Sequence, residues 1–429
     1  MKVKKKIIST ICIVICILML PITFTSCGKK SVYALGPYEI KEDEYTYLIG
    51  MYKRRLLATL GYEEMSMSTE LTDDGLTLGQ YLDSIYRREF DMSIYTLLLS
   101  QSLFDEYGLS LTDKQKDDIE KLIEKVVNYY GGYSEQAFKR IVKHYGYTVD
   151  TMRSVYTMQA KENAVVAYLY GDDYSKLTAE AKENYYESAY LHFQVIVINN
   201  VYKAVTDSDG KTSYINLSES EKATKNQIIS ELTSLLVKED REAKYPMITS
   251  TLKMTVDELF EDPGKTYNLL FEKYSDDTLY PGGYYMIAPT SVNQIVTSNA
   301  LSAAFLLKEG DCAVVTAKRY FEKGGTIEIS GETETINAGD YFEYGEAFVR
   351  KLPLDEGAYS REENKDFFNE DDFNYMAMKN DFYTVLENYQ KECFYELRES
   401  SLKDSYSIAS AIANDLDYNL IYESKTTDK

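Results

Sequence analysis

Phe193-Gln194-Val195-Ile196-Val197-Ile198 is the stretch where the periodicity of this chain changes, and its reading decides the fold class. A short run rich in β-branched residues suits a buried strand. Upstream of it the apolar positions recur at helical steps. Tyr45, Leu48, Ile49, Tyr52, Leu56 and Leu60 lie three or four apart, as a single buried stripe requires. A loop at 64–75 is followed by Thr77-x-x-Gln80, a capping box that satisfies the free amides of a starting helix. That helix is predicted to run to about residue 107, where Gly108 stops it. Thr112-x-x-Gln115 opens the next, which ends at Tyr129-Tyr130-Gly131-Gly132. Ser134 starts another, and Thr148 caps one that Gly171 closes. One more, beginning near Thr178, carries Tyr185-Tyr186.

Downstream of the run a polar loop, Asp207-Ser208-Asp209-Gly210, leads to a second capping box, Ser218-x-x-Glu221, and a helix bearing Ile228, Leu232 and Leu235. Thr255-x-x-Glu258 caps a short helix, Pro263-Gly264 interrupts, and 267–274 resumes. Two apolar runs, 313–317 and 347–352, read as strands. Between them glycines and the alternating Thr326-Ile327-Glu328-Ile329 predict an added hairpin at about 320–344. From Asp371 the helical period returns through Tyr375, Met378, Phe382, Leu386 and Tyr389. Helices, a strand–helix–strand module, then helices again predict an α+β chain. In it an α/β module is inserted into a helical domain that C-terminal helices complete.

The chain starts with Lys2, Lys4, Lys5 and Lys6, an apolar segment at 7–20, Pro21, and then Thr25-Ser26-Cys27-Gly28. A basic head and a short apolar stretch ending in small residues have the form of a secretory signal. The pattern resembles the bacterial lipobox, with Phe24 where leucine is more usual. That resemblance implies lipidation of Cys27, and a mature chain held on the outer face of the bacterial cytoplasmic membrane. An uncleaved anchor helix is the alternative, since about 20 apolar residues span a bilayer. The predicted organisation is then a signal at 1–26, a tether at 27–37 and a helical domain at 38–188. The module follows at 189–356, C-terminal helices at 357–423 and a tail at 424–429.

Composition narrows the partners. Loss of the signal removes four lysines and no acid, moving the formal net charge from −22 to about −26. No basic cluster exists to bind phosphates, so a nucleic-acid partner is not expected. Of the five cysteines, Cys12 and Cys16 lie in the signal and Cys27 would carry lipid. Cys312 and Cys393 remain, in different predicted domains, and are read as two free thiols. The 41 tyrosines, set against no tryptophan, are read as filling cores and surfaces, with binding roles only where they line a cavity. No His/Cys cluster has metal-ligand spacing. There is no phosphate loop and no Gly-x-Ser-x-Gly elbow, and Asp371-Asp372 lacks the spacing of a calcium loop. No metal and no cofactor are therefore expected.

Several stretches carry a resemblance. The N-terminal helical part, opening near Tyr38-Glu39-Ile40-Lys41, resembles the N-terminal domain of the SurA/PrsA family of extracytoplasmic foldases. Phe271-Glu272-Lys273-Tyr274-Ser275-Asp276-Asp277, followed by Pro281-Gly282-Gly283, is similar to the parvulin pattern of a helix end, Tyr-Ser-x-Asp and a Gly-Gly turn. The stretch 303–310 resembles the next parvulin helix, ending in Lys308-Glu309-Gly310, and 345–352 resembles the closing strand. The implied activity is rotation about an X–Pro bond, whose barrier is about 18–20 kcal/mol because of amide resonance.

Carried over by position, the resemblance places catalysis at Asp277; Tyr284, Tyr285 and Phe305 are the candidate substrate contacts of the isomerase reading. The two histidines expected of a parvulin are replaced, by Val195 in the first strand and Phe348 in the last. Ala300 stands where an aromatic usually floors the proline pocket. His192 lies an odd number of residues from Val195, which in a strand puts it on the opposite face. His144, on a helix of the other domain, is read as a surface or interface residue.

The function expected is that of a lipid-anchored extracytoplasmic foldase-type chaperone, whose partners are unfolded or nascent secreted polypeptides. Its parvulin module would be degenerate. An active peptidyl-prolyl isomerase is the first alternative, and a solute-binding or surface lipoprotein the second.

Overall fold

The computed structural model describes residues 30–72, 75–206, 212–276, 278, 280–287, 298–320, 325–337 and 341–416. The signal with Cys27, and the 424–429 tail, lie outside them. The described chain forms two compact units. One draws on Met1–Asp173 and Phe382–Lys429, the other on Tyr174–Asp381.

The chain opens with β1 (Ser31–Leu35) and β2 (Tyr38–Lys41), followed by α1 (Glu42–Leu60), α2 (Leu78–Glu106), α3 (Asp113–Gly131), α4 (Glu135–His144) and α5 (Val149–Tyr170). The capping boxes read at Thr77 and Thr112 are both formed, with the hydroxyl accepting from the amide three residues on. The predicted tether at 27–37 is corrected: Val32, Tyr33 and Leu35 are buried in β1. β1 folds back on β2 through Gly36, whose φ of 58° suits a tight turn. It pairs on its other side with β11 (Leu397–Glu399). Tyrosines fill this core. Tyr45 packs edge-on to Phe90 at 5.4 Å and Tyr47 to Tyr147 at 5.0 Å, while the Tyr33 hydroxyl donates to Asp91 at 2.9 Å.

The second unit begins with α6 (Ala179–Ala189) and β3 (Tyr190–Asn199), then β4 (Tyr202–Thr206) and β5 (Thr212–Asn216). The last two fall where only a polar loop was expected. Next come α7 (Glu219–Leu232), α8 (Pro246–Leu252), α9 (Val256–Glu261), α10 (Pro263–Tyr274), β6 (Tyr284–Ile287) and α11 (Ser298–Leu306). The unit continues through β7 (Cys312–Tyr320), β8 (Gly325–Ile329), β9 (Glu332–Ile336) and β10 (Tyr341–Leu352). α12 (Glu370–Glu392) carries the chain back into the first unit. Of the C-terminal helices expected, this is the one α-helix among the described residues. Short 3-10 turns, β11 and an irregular segment make up the rest.

The fold is α+β. Two four-stranded sheets occupy the second unit, in the orders β6-β3-β10-β7 and β4-β5-β8-β9. The first is antiparallel throughout and central. In the second, β8 and β9 form the expected hairpin, closed by Ser330-Gly331, both at positive φ as a two-residue turn requires. Cys312 and Cys393 are both free thiols. No helix among the described residues is long and apolar enough to cross a membrane.

Candidate functional site

The site suggested by the resemblance centres on the sheet β6-β3-β10-β7, whose two faces have different linings. Register pairs Val195 with Val349, Ile196 with Phe348 and Val197 with Ala347. Side chains alternate across a strand, so Phe193, Val195 and Val197 share one face with Ala347 and Val349, covered by Ala300, Leu301 and Ala304 of α11. Ile196, Ile198 and Phe348 lie on the other, against Leu232 of α7 and Tyr267 and Leu270 of α10. Burying Phe348 alone is worth about 1.5–3 kcal/mol. The two positions assigned to missing histidines therefore lie on opposite faces of the sheet. Residues acting on one bond must share a face, and on the Val195 face the closing strand offers Ala347 and Val349. This corrects the placement at Phe348 by one residue, the smallest error that alternation turns into a change of face. The corrected position is equally without acid–base chemistry.

The Tyr-Ser-Asp motif ends α10 beside the edge of β3. The Val197 amide donates to Ser275 Oγ (3.1 Å), the Asp276 amide donates to the Val197 carbonyl (2.7 Å), and the Asn199 amide donates to Asp276 Oδ2 (2.7 Å). β6 pairs with β3 only as far as Phe193, so the side chains of Ser275 and Asp276 and the Asp276 amide satisfy strand groups that would otherwise lack partners. Lys225 of α7 forms an ion pair with the same carboxylate at 3.1 Å. Ser275 and Asp276 thus have a structural task. Asp277, the predicted catalytic acid, lies outside the described residues.

The Gly-Gly turn closes on the same strand. Gly283 has φ of 101°, and a Cβ there would lie 2.8 Å from the Phe193 carbonyl and 3.0 Å from His192 Nε2, so only glycine fits. Gln194 Nε2 donates to the Pro281 carbonyl (2.6 Å) and to Asn268 of α10 (3.0 Å). His192 is buried on this side, as its odd offset from Val195 requires. Its Nδ1 lies 2.8 Å from the Pro353 carbonyl and its Nε2 3.0 Å from that of Gly282. Its ring stacks on Tyr285 with centroids 4.1 Å apart.

The predicted substrate contacts do not converge. Tyr284 is 1% exposed and belongs to the Val195-face core. Tyr285, one residue on, points the other way and is buried. Its hydroxyl donates to Asp355 Oδ2 at 3.1 Å, and burial, aided by that carboxylate, pushes its pKa up to about 12. Neither tyrosine offers a surface to a bound chain, which corrects both assignments. Phe305 on α11 is exposed. Sequence reasoning missed Asp355 and the segment behind it. Phe367 and Phe368 pack on Tyr285 at 5.7 and 5.5 Å, and Phe368 on Tyr190 at 4.9 Å. The only available signal was the Phe367-Phe368 pair inside an otherwise acidic stretch.

Two groups have shifted acidities without catalytic placement. Burial raises the Tyr267 phenol, whose hydroxyl donates to the Phe348 carbonyl at 2.6 Å and ties α10 to the sheet. Burial also pushes the Cys312 thiol up to about 12, which keeps it protonated and unreactive. Among the described residues no group of three or more His, Cys, Asp or Glu is placed to hold a metal ion.

No protein-family model matches the chain, and no curated protein matches it. Similar solved structures include the foldase protein PrsA from Streptococcus pneumoniae str. Canada MDR_19A, at 13% identity, 80% coverage of this chain and 99% of that one, with a TM-score of 0.19. Peptidylprolyl isomerase (PrsA) from Bacillus cereus matches at 14% identity, covering 80% and 100%, with a TM-score of 0.24. The foldase protein (PrsA) from Lactococcus lactis matches at 12%, covering 87% and 96%, with a TM-score of 0.19. TM-scores this low carry no argument, and the functional reading stands on the residues themselves.

Proposed function

We propose that this chain is a lipid-anchored extracytoplasmic chaperone of the foldase type. Its helical unit holds unfolded secreted polypeptides, and its parvulin-like module contributes peptide-binding surface without isomerase chemistry. The observation that supports the holding role is the set of large apolar side chains left in water on the helical unit. Phe394 is 96% exposed, Tyr133 85%, Tyr129 67% and Ile85 58%. Covering such groups with apolar segments of a client gains about 25 cal/mol per Å² buried, and needs no nucleotide. Against isomerase chemistry stands the apolar Val195 face, where a polar network would have to sit.

Two assays on the full chain test the reading. Light scattering of a heat-unfolded protein is expected to fall with equimolar chain present, and the effect to shrink when Tyr129, Tyr133 and Phe394 are changed to serine. Unchanged scattering overturns the holding role. A protease-coupled assay on a proline peptide is expected to show only the uncatalysed rate, with a time constant of tens to hundreds of seconds. A clear acceleration that disappears in Asp277→Ala would establish the isomerase instead. The anchor is checked by Cys27→Ala, which should release the chain from the membrane fraction.

A further inference from the structure

After β11 the chain crosses the helical unit as a short 3-10 turn and then an irregular segment, and its main chain is held by charged side chains of α1 and α2. Lys53 Nζ donates to the carbonyls of Ala409 (2.6 Å) and Ala411 (2.8 Å). Arg87 donates to the carbonyls of Tyr406 (2.6 Å) and Lys403 (3.1 Å). Asp83 Oδ1 accepts the amides of Ile408 (2.6 Å) and Ala409 (3.3 Å), and the Gly50 carbonyl accepts the Asn414 amide at 3.0 Å. Two glycines admit the segment. A Cβ on Gly50 would lie 2.7 Å from the Ile412 carbonyl, and one on Gly79 would lie 3.0 Å from the Ala409 side chain. The resident sequence, Ser407-Ile408-Ala409-Ser410-Ala411-Ile412-Ala413-Asn414, is mostly small residues that let its main chain approach closely. Beside Ala409 the surface opens into a groove of about 790 Å³ lined by Met67, Thr77, Gly79, Gln80, Asp83 and Ser84.

Contacts of this kind read carbonyls and amides, which every polypeptide carries, and take little information from side chains. That is the recognition an unfolded chain of arbitrary sequence needs. We infer that the seat which Lys53 of α1 and Asp83 and Arg87 of α2 provide is a main-chain-reading site for extended polypeptide, occupied in the free protein by residues 403–414 and transferred to a client segment when one is present. The inference rests on the chaperone reading and deepens it by naming where and how the client is held. Exchange is feasible because one main chain replaces another, so the polar groups of Lys53, Asp83 and Arg87 regain partners instead of being left buried and bare. Ile408 and Asn414 are fully buried, so release of the resident segment requires a competitor.

The test is hydrogen exchange over residues 403–414 of the full chain, with and without a permanently unfolded probe, reduced and carboxymethylated lactalbumin. If the probe binds only the vacated site, exchange should rise about tenfold when free probe is at ten times its dissociation constant for that vacated site. Three free peptides are then set against the probe: the 403–414 sequence, a scrambled version, and the same sequence N-methylated at the positions of Ile408 and Ala409. The first two are expected to displace the probe and the third to fail. Probe binding without faster exchange, or displacement by the native sequence alone, overturns the inference and leaves the chaperone reading standing. Absence of probe binding overturns both. These measurements use the unaltered chain, so none depends on a variant that fails to fold.

Discussion

Lys53 is a cation buried in the helical unit, and two carbonyls of the resident segment are its hydrogen-bond partners. Lys53→Met keeps the aliphatic stem but strips both carbonyls of a donor, and should cost about 1–3 kcal/mol in urea unfolding. Burial holds the amine below its ordinary value of 10.5, with Asp83 pulling the other way. Between the lowered value and 10.5 the unfolded chain binds a proton that the folded chain does not, so stability contributed at this position rises with pH. The gap between wild type and Lys53→Met is therefore expected to widen from neutral pH toward 10.5. A gap that narrows would mean the amine is not desolvated. Residue identity alone could not foretell this: Lys53 sits at a helical position whose partners are more than 350 residues away in sequence. The same limit explains Phe348. The closing strand was legible as a strand, but which of its residues faces Val195 depends on a register set by pairing with β3.

Elements were most legible where their signal is local. Capping boxes at Thr77, Thr112, Ser218 and Thr255 are legible from hydroxyl-to-partner spacing, and each forms; the cap expected at Thr148 forms as well. Thr77→Ala should destabilise α2 by about 1 kcal/mol, while Thr77→Asp should retain most of the stability, as seen in thermal melts of the full chain. Equal melting of both variants would mean the cap is redundant. The strands that were missed share a property. β1 and β2 are only five and four residues long, and β1 gains its second neighbour from Leu397–Glu399 at the far end of the chain. β4 and β5 flank the Asp-Ser-Asp-Gly stretch of the sequence and look like the arms of a polar loop until β8 pairs with β5 through Tyr214 and Ile329. Short strands bury too little by themselves to leave a period in the sequence.

Across the whole molecule many of the tyrosines are core residues, in both units. Burial is the leading cause that raises the phenols of Tyr33, Tyr45 and Tyr52 in one unit and of Tyr186 and Tyr190 in the other. Above pH 10 the unfolded chain loses phenolic protons that the folded chain retains, so stability must fall as pH rises through that range. Absorbance at 295 nm should accordingly titrate in two stages. The phenols raised by burial ionise last, and only with loss of circular dichroism. One smooth titration with the fold intact would contradict this burial pattern. The sequence by itself determined the kinds and order of most elements, the helix starts and the α+β class, because periodicity and capping act over a few residues. The tertiary structure alone decided that Val195 and Phe348 face apart, that Tyr284 and Tyr285 are core, and that charged side chains hold the 403–414 main chain. Those outcomes depend on strand register and on contacts between distant residues, and neither leaves a local trace in the order of amino acids.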